Sequence, residues 1–213
     1  MLLRILITIL FLSCSPVCFA DHEQYLKDNA GPDRAYEREL PLLPAYCRCK
    51  AAIDRNRYKH EGKKWGRVFK SKGKRGKEWM HVHHYCFGLI ALSRAQRGLG
   101  KRAHLLSRAE QEFNYMFRHS SPKFILMPEI HLKMGITQKL MGRDAKAVEH
   151  FIKATQLKRN YVAAYVHIID FFKEHQNYKK AIETAKRGLK YSPNSKALKA
   201  NLRELQSLST TKQ

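Results

Sequence analysis

The residues with the widest chemical reach lie close together. His81-Val-His83-His84-Tyr-Cys86 gathers three imidazoles and a thiol within six residues, and Cys47-Arg-Cys49 places two more thiols upstream. Imidazole and thiolate are good ligands for copper or zinc, so His81, His83, His84 and Cys86, helped by Cys47 and Cys49, form a candidate metal set. On a helix, at about 100° per residue, His81 and His84 share one side while His83 and Cys86 share another. Ligands split in this way need further partners to close a coordination sphere. The other reading of the same residues is a disulfide joining Cys86 to Cys47 or Cys49, with one thiol left over. That bond would close a loop of about 40 residues and contribute on the order of 3–4 kcal/mol through chain entropy. It would pin the preceding segment against the helix carrying Cys86.

Catalytic patterns are missing elsewhere. The chain holds no Gly-x-Ser-x-Gly, no His-Glu-x-x-His, no Cys-x-x-Cys and no phosphate-cradling glycine loop. Eighteen acids are scattered against 41 Lys and Arg in 213 residues, which disfavours a paired-carboxylate hydrolase. We therefore expect a protein that is not an enzyme and needs no cofactor, unless the histidine cluster takes a metal.

The net charge of +23 invites a nucleic-acid partner, and the first twenty residues argue against one. Arg4 precedes an apolar stretch from Ile5 to Leu12, followed by Ser-Cys-Ser-Pro and a small residue, Ala20, before polar Asp-His-Glu-Gln. This is the pattern of a signal peptide cut after Ala20, giving a periplasmic or secreted protein. Cys14 and Cys18 leave with it, and the three remaining cysteines suit an oxidising compartment. There the anionic partners on offer are phospholipid head groups, envelope polymers and acidic protein surfaces.

Residues 21–77 read as an N-terminal extension, broken by Gly31-Pro32 and by Pro41 and Pro44. Its last part, residues 55–77, carries eleven Lys/Arg, one acid and four glycines, and is expected to be a solvated basic loop. Lys63, Lys64, Trp65, Arg67, Lys70, Lys72, Lys74, Arg75 and Lys77 make it a candidate patch for an anionic lipid or polymer surface.

From Glu78 onward the apolar spacing is helical and no useful stretch alternates, so the fold class is all-α. An internal period supplies the organisation. Met134-Gly135 aligns with Ile168-Ile169, 34 residues later, and Gly142 with Gln176, Ala147 with Ala181, Phe151 with Ala185, Ala154 with Gly188 and Arg159 with Pro193. Residues 128–161 and 162–195 are thus two helix-pair units. Residues 78–127 form a longer, divergent unit with Gly88, Ala109 and Phe113 in place, and 196–213 a capping helix and tail.

The spacing, the small residues at helix crossings, aromatic Tyr165 and terminal Pro193 resemble the tetratricopeptide repeat. That resemblance implies a short α-solenoid of antiparallel helix pairs whose concave face binds a protein or peptide partner in the cell envelope, as a scaffold or assembly factor. Carried over position by position, the groove would be lined by Glu129, Leu132, Ile136 and Lys139, then by Ala163, Val166, Asp170 and Lys173. Lys139 and Lys173 would offer ammonium groups to the partner. The same alignment puts His84 in a tightly packed core position and Cys86 on the concave side.

Overall fold

Each stretch with apolar residues at helical spacing beyond Glu78 is a helix in the computed structural model. The structure describes residues 39–51, 59–72 and 78–210; the expected leader (1–20), nearly all of the arm after it and the last three residues lie outside these. Among the described residues there are nine α-helices and no strand. They are α1 (Ala45–Ala51), α2 (Lys59–Lys72), α3 (Glu78–Gln96), α4 (Arg102–His119), α5 (Met127–Leu140), α6 (Asp144–Leu157), α7 (Val162–Glu174), α8 (Tyr178–Tyr191) and α9 (Lys196–Thr210). A single 3-10 turn, Leu40–Leu42, precedes α1.

Neighbours in the chain are neighbours in space. α3 packs on α4, α5 on α6 and α7 on α8; α4 meets α5, α6 meets α7, and α9 closes against α7 and α8. Residues 141–143 and 175–177 join two of these pairs, and connections so short return the chain antiparallel. Both turns pass through the left-handed region at equivalent positions, Gly142 at φ 73° and Gln176 at φ 52°. Glycine adopts this freely, whereas Gln176 bears a cost on the order of 1 kcal/mol.

What sets the distance between paired helices is a missing side chain. A Cβ on Gly135 would overlap the Phe151 ring and lie 3.0 Å from the Ala147 carbonyl oxygen. The longer pair α3/α4 repeats the device, since a Cβ on Gly88 would lie 2.5 Å from Phe113 Cε1. In α7/α8 the sizes are exchanged: Ile169 and Ala185 share one buried cluster with Tyr165, Ala181 and Leu198. Volume is conserved while large and small trade helices, which close packing demands. Leu132, Phe151, Ala164 and Ile168 carry the core from α5/α6 into α7.

Residues 55–77 depart from the loop expected of them, because α2 occupies Lys59–Lys72. Trp65 and Phe69, one turn apart, form an apolar stripe that packs on Tyr46 of α1, ring centroids 5.6 Å away in each case. Gly66, one of the glycines of the expected loop, is a close-approach position: a Cβ built on it would lie 3.2 Å from the indole nitrogen of Trp79 on α3. Burial of one stripe thus overrides the local turn signals.

The Gly135 contact predicts a reversal of helix propensity. Gly135→Ala should gain about 1 kcal/mol from propensity alone, yet the added methyl costs about 1–3 kcal/mol of overpacking. We expect a net loss, read as a lower urea midpoint, and partial recovery when Phe151→Leu is added. A raised midpoint in the single variant would refute the steric account.

Candidate functional site

Cys47 on α1 and Cys86 on α3 form a disulfide with Cα atoms 5.4 Å apart, and both residues are fully buried. Cys49 keeps its thiol, which donates to the Tyr46 carbonyl at 3.2 Å. Burial raises its pKa, so at neutral pH it is a poor nucleophile. Two members of the sequence's metal set are corrected here, since oxidised Cys47 and Cys86 offer no thiolate.

The histidines are also arranged differently. Tyr85 takes the fully buried place expected for His84. His84 stacks on Tyr115 at 3.6 Å with Nδ1 2.6 Å from Glu112 Oε2, and Arg108 donates to the other oxygen of that buried carboxylate at 2.9 Å. The ring of His83 lies 4.2 Å from that of His84, while His119 stacks on Tyr115 at 3.9 Å. His81 Nδ1 meets the Tyr115 hydroxyl at 3.3 Å. Imidazole lone pairs lie in the ring plane, so a stack aims them side by side and not at one point. Among the described residues no group of three or more His, Cys, Asp or Glu is placed to hold a metal ion.

The groove residues divide into core, rung and free face. Leu132 is only 5% exposed and belongs to the core with Phe151 and Ile168, a correction to its expected groove position. Ile136 is half-buried against that core, Val166 against the neighbouring cluster of Tyr165, Ile169 and Leu198, and Asp170 is half-buried on α7. Lys139 Nζ pairs with Glu174 Oε1 at 2.6 Å, and Lys173 Nζ with Glu204 Oε1 at 2.5 Å. Both lysines therefore act first as rungs from α5 to α7 and from α7 to α9. Such half-exposed pairs are worth about 0–1 kcal/mol each, so an incoming carboxylate can exchange with the glutamates. Glu174 and Glu204 were not singled out in the sequence; their signal was a spacing of about one repeat from each lysine.

At the other end of this face α1 intervenes. The Tyr46 hydroxyl donates to Glu129 Oε2 at 3.4 Å. Desolvation by burial, then the Glu129 charge, holds the Tyr46 hydroxyl far above its ordinary pKa and pushes Tyr161 up to about 12. Three tyrosines, counting fully buried Tyr85, feel this one carboxylate. α1 thus meets the first turn of α5 as well as α3.

On α2 the basic patch is one-sided. Lys63, Lys64 and Arg67 are exposed and Trp65 is half-buried. Lys70 and Lys72 stand in its last turn, and Lys74, Arg75 and Lys77 lie outside the described residues.

A pair absent from the sequence reading completes the titratable groups. His131 on α5 and His150 on α6 bring Nδ1 to Nδ1 at 2.9 Å, with Phe117 of α4 beside both rings. The 34-residue period maps His131 onto Tyr165, which marked it as a ring packed between helices. Burial and then the charge of His150 lower the His131 pKa from 6.5 to about 4; burial also lowers His150, His81 and His167.

A sign for acid stability follows. These groups bind protons more readily when unfolded, so their contribution is complete above the ordinary pKa of 6.5 and is lost as pH falls toward about 4. Discounted for its partial exposure, His131 should account for on the order of 1–2 kcal/mol between pH 7 and pH 4. Urea unfolding across that range should show a shallower acid slope for His131→Leu than for the parent; equal slopes would remove the pair from the account.

No protein-family model matches this chain, and no curated protein is significantly similar to it.

Proposed function

We propose that this chain is an exported, non-catalytic scaffold of the tetratricopeptide type that binds a peptide or protein partner of the cell envelope. The observation that carries the reading is the recurrence of one packing rule at the repeat period. The small-to-large contact across each helix pair and the left-handed turn at Gly142 and Gln176 recur together, as stacked copies of one unit would require. Among the described residues no helix is long and apolar enough to cross a membrane.

The partner surface is the α5–α7–α9 face. Ile136 and Val166 supply apolar contact, Asp170 a carboxylate, and Lys139 and Lys173 exchangeable ammonium groups. Glu129 is engaged with Tyr46 at the α1 end, so the open part of the face begins further along α5. The same face offers a peptide backbone both donors and acceptors, and specificity would come from the spacing of the Lys–Glu rungs.

Site-directed crosslinking tests this surface. A photoreactive residue at Ile136 or Asp170 should capture a discrete envelope protein that the same probe at Lys146, an exposed position of α6, does not. With the probe at Ile136, Asp170→Lys together with Val166→Glu should abolish that capture while the helical circular dichroism is retained. Equal capture from Lys146 and Ile136 would discard the face.

A further inference from the structure

The helix α2 differs from every other in how its charge is displayed. Every exposed side chain described on it is basic: Lys59, His60, Lys63, Lys64 and Arg67. Their spacing of three and four residues puts them on one face. Glu61, the single acid of residues 55–77, is turned toward Arg48 of α1, 3.7 Å away, and leaves that face uncompensated. Lys59, Lys63, Lys64 and Arg67 have no ion pair among the described residues.

The aromatic residues of α2 point the other way. Trp65 and Phe69 pack on Tyr46, and Phe69 also stacks on Trp79 of α3 at 5.1 Å. α1 itself is bonded to α3 through Cys47–Cys86. The basic face is therefore presented by a folded helix with its apolar stripe already used.

We propose that this face adsorbs the protein to an anionic phospholipid bilayer by charge alone, without insertion. A protein partner would need a desolvated aromatic or apolar anchor at the centre of the contact, and the exposed face of α2 has none. A bilayer supplies mobile negative charge that adapts to any spacing of cations, worth about fivefold in binding per Lys or Arg at the surface. Insertion would require Trp65 and Phe69 to leave Tyr46 and Trp79. This surface is separate from the α5–α7–α9 face, so either assignment can fail alone.

The test is sedimentation of the full chain with vesicles of phosphatidylcholine containing about 30% phosphatidylglycerol, set against pure phosphatidylcholine. Binding should occur only to the anionic vesicles and fall steeply between about 0.05 and 0.5 M salt. Lys63→Gln/Lys64→Gln/Arg67→Gln should weaken it by about a hundredfold, whereas Lys179→Gln/Lys186→Gln/Lys190→Gln at exposed positions of α8 should weaken it by less than about threefold. Tryptophan emission should not shift to the blue on binding. The proposal is overturned by no binding, by equal losses in the two variants, by a blue shift, or by tighter binding to soluble polyphosphate or single-stranded DNA than to the vesicles. Circular dichroism of both variants, whose changes are all at exposed positions, guards against unfolding as the cause of a loss.

Discussion

The ring of Phe151 occupies the space where a Cβ on Gly135 would be, and most of the helical architecture depends on that exclusion. Two helices joined by three residues can bury their facing sides only if the crossing point is small on one of them. Glycine on the first helix permits the approach and phenylalanine on the second fills the volume around it. α3/α4 uses Gly88 and Phe113 in the same sense, and α7/α8 reaches the same volume with Ile169 and Ala185. Helix propensity argues against glycine at these places, so packing decides them.

A second constraint attaches α1 and α2. Cys47–Cys86 is buried, as are the Tyr46 and Phe69 rings, with half-buried Trp65 and Trp79 packed against Phe69. The bond closes a separation of 39 residues, and by chain entropy stabilises the fold by on the order of 3–4 kcal/mol. Its buried sulfurs make it a structural fastener and not an exchange centre. It also determines direction: with α1 held on α3, the apolar side of α2 is turned inward and the basic side outward.

Scarcity of acid shapes the rest. Glu110, Glu112, Glu174 and Glu204 each meet a cation, and each such pair links or braces helices. Little negative charge is left to offset the surplus on exposed surfaces. The basicity of the chain is thus a property of particular faces, α2 above all, and the fold tolerates it because those faces point to water.

From the residues alone, the all-helical class, the helix pairs beyond residue 78 and the place of each crossing glycine were legible, because local spacing and small side chains carry that information directly. The choice of Cys47 over Cys49 was not, since both lie one side chain apart and only the orientation of α1 separates them. The helical state of residues 59–72 was hidden by Gly62 and Gly66, whose purpose appears only with Cys49 and Trp79 set against them. Lys139 and Lys173 read as free donors because their glutamates come from the next helix pair and from α9, and Leu132 read as groove because the register cannot say which neighbour covers it. Contacts between residues distant in the chain decided these points, and periodicity along one helix is blind to them.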